Sequence, residues 1–359
     1  MRGNKGEWSE AYVFLKLLAD GKIYTADSDL NKIDGMYFPV SKVVREEAPG
    51  DVKEYTTGGI VDVYSDGKKQ KTISRDEFKK QADFLLGKIR DSKGSAFPIE
   101  ETQDFMDGIF CHRLSAPSSE KSDITVGITD VHTGYSPTVG FSIKSELGSS
   151  PTLLNAGKTT NFAYRVVHDD PMLMEETNKI CRIVGNREHT YVRGRIENII
   201  EGGGSFQYAN TQNQVFHDNL ALIDSSMDKI VAETLLYFYR DDVKNCEEMV
   251  ERLESENPLN YGNPSAYRYK FKKFLTAVAL GMKPATIWDG IDEADGGYII
   301  VTKNGDVIAY HLHNRNHFEE YLLKNTKYET PSTSRHGFGD VYSVGGEDYF
   351  NLNLQIRFK

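Results

Sequence analysis

Cysteine is scarce and poorly placed for cross-linking: Cys111, Cys181 and Cys246 stand far apart in a chain of 359 residues. An odd count without CxxC spacing speaks against a disulfide framework and against a zinc site. It suits a reducing, cytoplasmic compartment. Long apolar runs are missing as well. Nothing approaches the roughly 18 residues of a membrane span, and the opening MRGNKGEWSE has no apolar stretch of the signal-peptide kind. Positive charge is in deficit, with 43 Lys and Arg against 53 Asp and Glu and a formal net charge of −10. That weighs against a polyanion-binding surface spread over the whole molecule, because phosphate neutralisation needs cations. A local basic cleft stays open, and carboxylates are what hold Mg²⁺. Internal repeats, heptads and low-complexity segments are absent.

What remains is an ordinary globular composition, 39% hydrophobic and 27% charged. The length suits roughly two domains of about 150 residues each. Trp8, Ala11, Tyr12, Leu15 and Leu18 fall at helical spacing and predict a helix over 6–19, stopped by Gly21. Asn4 followed by Glu7 has the form of a capping box. Residues 22–75 read as mixed, with a strand over 60–64 before the turn Asp66-Gly67. Helices are expected over 75–92 and 98–108, a hairpin over 122–147 and a strand over 161–167. The run Gly202-Gly203-Gly204 suggests a boundary. Helices follow over 213–239, 245–256 and 264–281. A hairpin over 297–312 turns at Asn304-Gly305, a helix covers 316–325, and 349–358 alternates as one final strand. The class is therefore mixed α and β. A core of 1–200, a mainly helical insert of 201–290 and a strand-rich part of 291–359 are the expected divisions.

The hairpin 122–147 carries the chemistry. Ile124, Val126 and Ile128 alternate with Asp123, Thr125 and Gly127. Val139, Phe141 and Ile143 alternate with Gly140, Ser142 and Lys144, and Glu146 continues the polar series. With a side-chain period of two, Asp123, Lys144 and Glu146 share a face. Matching apolar to apolar sets Asp130 opposite Val139, Val126 opposite Ile143 and Asp123 opposite Glu146; a slip of two would keep the faces and change the partners. Asp130 has the apolar parity and ranks below Asp123. Two carboxylates beside a lysine suit phosphodiester chemistry: the acids hold Mg²⁺, the metal activates water, and the lysine stabilises phosphate charge. The plainer alternative is an exposed sheet face with one ion pair, worth under about 1 kcal/mol.

This arrangement resembles the PD-(D/E)xK nucleases, in which an Asp opens one strand, an acid-x-Lys closes the next and a preceding helix often supplies a Glu. Ser142-Ile143-Lys144 stands at the acid-x-Lys position, so Ser142 replaces the usual acid. Glu146 is the nearest substitute, and Glu10 on the first helix is the matching helical acid. NKGEWSEAYVFLKLLADGKIY, GFSIKSELGSSPTLLNAGKTTNF, TPSTSRHGFGDVY and YFNLNLQIRF further resemble type II restriction endonucleases of the HpaII family. The resemblance implies a restriction-endonuclease-like mixed sheet flanked by helices, Mg²⁺-dependent cleavage of double-stranded DNA at a short palindrome, CCGG, and a DNA methyltransferase protecting the host. A palindromic target suggests a homodimer, with monomers cutting one strand at a time as the alternative.

Polar residues after the hairpin, Ser149, Asn155, Lys158, Thr159 and Asn161, are of the types that contact phosphates. Ser334, Arg335 and His336 are candidates for reading guanine edges, with Gln355 and Arg357 on the last strand. Each of these groups is also what a solvated loop or strand would carry. His112, His132 and His168 lack ligand spacing. Two other functions stay open: a DNA-binding protein of the same fold that lost catalysis, motivated by Ser142, and a structure-selective repair nuclease.

Overall fold

The computed structural model describes residues 1–115, 122–131, 134–170, 172–311 and 315–359. His132 and the hairpin end at Leu312 lie outside them. The chain forms two compact units, Met1–Pro151 with Asp292–Tyr321, and Thr152–Ile291 with Leu322–Lys359. The glycine run is internal to the second unit. There it makes a tight exit from the helix Val192–Glu201 into the strand Ser205–Thr211, with Gly203 at φ 80°. The first unit is discontinuous because the strand Gly297–Val301, far along the chain, pairs in parallel beside the hairpin.

The first unit is built on a nine-stranded mixed sheet. Its order is Lys22–Ala26, Val307–His311, Gly297–Val301, Thr138–Ser145, Ile124–Ile128, Lys32–Ala48, Asp51–Thr57, Ile60–Ser65 and Lys68–Ser74. The long strand Lys32–Ala48 pairs twice. Its first part meets Lys22–Ala26, with Tyr37 opposite Tyr24, and its later part meets Ile124–Ile128, with Val43 opposite Val126. The six strands from Lys22–Ala26 to Lys32–Ala48 therefore close into a ring, and the other three trail from it. Lys68–Ser74, the free edge among the described residues, carries Lys68, Lys69 and Lys71, charges that discourage pairing with another sheet.

The first helix spans Lys5–Asp20, and its capping box is formed: Asn4 accepts from Gly6 and Glu7 N–H groups, and Glu7 accepts from Asn4 N–H. Gly21, at φ 60°, ends it in the left-handed conformation that glycine takes without a Cβ penalty. Trp8, Tyr12, Phe14, Leu15 and Leu18 are buried in one core with Val43, Ile124, Val126, Phe141 and Ile143. Each such side chain contributes about 1.5–3 kcal/mol by leaving water. Polar ties fix the helix: Trp8 Nε1 donates to Phe97 O at 3.0 Å, Tyr12 Oη to Gly305 O at 2.6 Å, and Ser9 Oγ to Ser145 Oγ at 2.8 Å. The other face of the sheet is covered by Phe318 and Tyr321 of the helix Arg315–Asn325, which pack on Tyr298 and Tyr310.

The second unit combines the helices Gln214–Ile223, Met227–Asp241, Cys246–Glu256 and Ala266–Leu280 with small antiparallel sheets. The helix expected over 213–239 is broken at Asp224-Ser225-Ser226, where Asp224 accepts from Ser226 N–H instead of continuing the helix. The single strand expected over 349–358 is two strands in different sheets, Glu347–Asn353 and Ile356–Phe358. Leu354 N–H leaves the first ladder to donate to Thr160 O at 3.0 Å.

Candidate active site

Ile124–Ile128 and Thr138–Ser145 pair antiparallel, but Val126 stands opposite Val139 and not Ile143. The faces match as expected, and the partners have slipped along the strand. Asp123, one residue ahead of its strand, thus comes beside Ser142 and not Glu146. Ser142 Oγ donates to Asp123 Oδ2 at 3.1 Å, and Ile143 N–H donates to the same oxygen at 2.6 Å. Lys144 Nζ donates to Ser142 Oγ at 3.0 Å. Ser142, only 1% exposed, is the link between the acid and the lysine. Gly140 permits the approach: a Cβ there would lie 2.2 Å from Ser122 Oγ. Its N–H is held by Asp295 Oδ1 at 2.7 Å.

A second acid, Glu10 of the first helix, interacts through its charge with both Asp123 and Lys144. Burial raises its pKa to about 8, with the Asp123 charge adding to the rise and Arg45 and Lys144 opposing it. Glu10 Oε2 is buried without a hydrogen-bond partner. Burial lowers the Lys144 pKa, while Asp123 and Glu10 pull it back up. Glu146 lies past the end of its strand. Its Oε2 accepts from Lys303 N–H at 3.1 Å, at the turn of the later hairpin, so its carboxylate supports that turn. Asp130 sits in the hairpin turn, bonded through its N–H to Tyr135 O.

Two residues escaped the sequence reading. Tyr298, on the neighbouring parallel strand, is fully buried and carries Lys144 Nζ over its ring at 5.3 Å. Arg45, buried on the long strand and paired with Glu47 at 3.1 Å, faces Glu10 with its charge. Arg45 shares the parity of Val43, so alternation alone could have flagged a buried cation there. Nothing local connects Tyr298 to the hairpin.

Among the described residues no three acidic, histidine or cysteine side chains form a metal cage. Asp123 and Glu10 still fit Mg²⁺, which takes one or two carboxylates and completes its shell with waters and substrate phosphate. The unpartnered buried Glu10 Oε2 is the kind of acceptor such an ion satisfies.

The expected DNA contacts divide between the units. Ser149 is exposed in the first. The others gather in the second. Asn161 Nδ2 donates to His336 O at 3.0 Å, Asn353 Nδ2 donates to Asn161 Oδ1 at 2.6 Å, and Thr152 pairs with Arg357. Residues 152–161, 332–337 and 353–357 thus form one cluster. Asn155, Lys158, Ser334 and Arg335 are exposed on it, and Thr159, His336 and Gln355 are half-buried. Asn161 is buried and its amide is committed inside the cluster. Arg357 Nη1 donates to Glu329 at 2.8 Å. No described helix is long and apolar enough to cross a membrane.

The profile described as HpaII restriction endonuclease matches residues 4–358. The type II restriction enzyme HpaII of Haemophilus parainfluenzae is 39% identical over 363 aligned residues, covering 99% of this chain and 98% of that protein. No solved structure matches. The class is thereby defined as type II restriction endonuclease, an enzyme of site-specific DNA cleavage. Within that class, the chain belongs to the HpaII restriction endonuclease family.

Proposed function

We propose that this endonuclease hydrolyses phosphodiester bonds of double-stranded DNA at CCGG, the site the family resemblance implies, with Mg²⁺ held by Asp123 and Glu10. The bonded series Asp123–Ser142–Lys144 beside the half-buried Glu10, whose Oε2 is buried without a partner, carries the reading. It is the PD-(D/E)xK arrangement with the usual strand acid replaced by Ser142, and with the missing carboxylate supplied by Glu10 in place of Glu146. When bound, Mg²⁺ polarises the phosphate and lowers the pKa of a coordinated water. Lys144, protonated, faces the oxygens on which negative charge grows as water attacks phosphorus and the bond to the leaving oxygen breaks. Ser142 keeps Lys144 and Asp123 in mutual register. Tyr298 supports the ammonium from below through its ring.

The exposed cluster of Asn155, Lys158, Ser334 and Arg335 supports a DNA-facing role in the second unit, with Arg335 suited to guanine. A palindromic target is matched by a homodimer, and protection of the host by a methyltransferase acting on the same site. Digestion of a plasmid of known sequence, with and without Mg²⁺, tests the reading. Discrete fragments ending at CCGG only with the metal are expected. A smear, or equal cutting in chelator, would refute it.

A further inference from the structure

The second unit contains a cavity of about 270 Å³ around Tyr191, between the small hairpin Cys181–Val184 with Arg187–Thr190 and the end of the helix Met227–Asp241. Arg182, Arg193 and Lys244 line it, against the single carboxylate of Asp242. That carboxylate is already shared: Arg193 Nη2 lies 2.7 Å from it and Lys244 Nζ 3.3 Å. These two cations hold the Asp242 carboxyl below its ordinary pKa. Arg193 Nε also donates to Tyr239 O at 3.4 Å, which fixes the guanidinium across the floor. Arg182 is different. Its guanidinium lies over the Tyr191 ring at 5.7 Å and has no hydrogen bond or ion pair among the described residues. A ring underneath holds a guanidinium in place while leaving its edge donors free.

A concave site with an excess of two positive charges and a fixed guanidinium recognises an anion, and the planar donor fork of arginine matches phosphate oxygens. The helix beginning at Val192 adds its first N–H groups to a site that the three cations already define. The chain as a whole is acidic, at −10, so this local excess runs against the composition.

We infer that this cavity is a phosphate-binding site that takes a backbone phosphate of the DNA substrate, with Arg182 as its free donor. The inference rests on the enzyme's DNA substrate and on neither the proposed metal site nor the CCGG target. Tyr191, Tyr239 and Phe238 border the same space and give the adjoining deoxyribose an apolar wall. A contact of this kind positions the duplex and carries no sequence information.

The test is duplex binding in chelator, read by fluorescence anisotropy across a salt series. Each phosphate contact contributes about 0.9 to the slope of log K against log salt. R182Q and K244Q should each flatten that slope by about one and weaken binding severalfold, equally for duplexes with and without CCGG. R182K should retain the slope. Unchanged slopes in R182Q, K244Q and the double variant overturn the inference, while site-specific cutting by the wild type would leave the proposed function standing. A second arm titrates inorganic phosphate by calorimetry. Weak phosphate binding lost in R182Q together with the flattened DNA slope supports the inference. Phosphate binding lost with the DNA slope intact assigns the cavity to a free phosphate compound and overturns the DNA reading.

Discussion

Ser142 is the residue on which the site turns. It stands where a carboxylate is usual in the nucleases this hairpin resembles, yet it accepts from Lys144 and donates to Asp123. An acid there would add a charge beside Asp123; a hydroxyl joins the Asp123 and Lys144 side chains without one. Lys144→Ala should therefore slow cleavage by about 10²–10³-fold, the cost of losing one preorganised charge-stabilising donor. Duplex binding in chelator should stay within severalfold of wild type; near-normal turnover in a single-turnover assay would remove Lys144 from the chemistry. Glu10 gives a second prediction, read without activity. Its pKa is about 8, raised from 4.5, so the folded state holds a proton that the unfolded chain releases earlier. The stabilisation is complete below about pH 4.5 and is lost as pH rises through about 8. The melting midpoint of the metal-free enzyme should fall over that window, the fall should flatten in Glu10→Gln, and excess Mg²⁺ at pH 8 should reverse it in the wild type only.

At the scale of elements, much was legible in the sequence. The Asn4–Glu7 capping box, the apolar stripe from Trp8 to Leu18 and the turn at Asn304-Gly305 are local signals, and each element formed where they point. The parity of the hairpin was legible too, because a strand alternates whatever its partner. The register was not. Several slips match apolar to apolar equally well, and the observed one is set by tertiary contacts such as Gly296 N–H on Gly140 O and Asp295 on Gly140 N–H. That slip exchanged Glu146 for Ser142 opposite Asp123, and only helix packing brings Glu10 to the site. The break at Asp224-Ser225-Ser226 was readable from its capping residues, whereas the split of 349–358 depends on a bond from Leu354 to Thr160. The first helix also yields a prediction. Asn4→Ala removes the side-chain half of the cap, the bonds accepted from Gly6 and Glu7 N–H, while the backbone N–H to Glu7 remains, and should cost about 1 kcal/mol. The melting midpoint of the first unit should drop by about 2–4 °C, with Asn4→Asp restoring it. An unchanged midpoint would mean that packing of Trp8 and Tyr12 alone holds the helix.

Over the whole molecule, the ring of six strands separates true edges from apparent ones. Lys22–Ala26 is written first in the sheet order, yet it has a partner on each side. Lys68–Ser74 has one partner among the described residues and an exposed flank. Amide hydrogen exchange should therefore protect Ile23 and Tyr24 well beyond Lys69 and Lys71. Equal protection factors at the two strands would contradict closure of the ring.

The late parallel strand has a consequence for how the enzyme comes into being. A nascent chain halted between Lys144 and Gly297 already contains Glu10, Asp123, Ser142 and Lys144, but lacks the Tyr298 ring beneath the lysine and the strand that flanks it. Synthesis must pass Gly297–Val301 before that ring and that strand can take their places beside Lys144. A chain truncated within that interval is therefore expected to lose site-specific cleavage although it carries all four residues, an outcome that plasmid digestion checks.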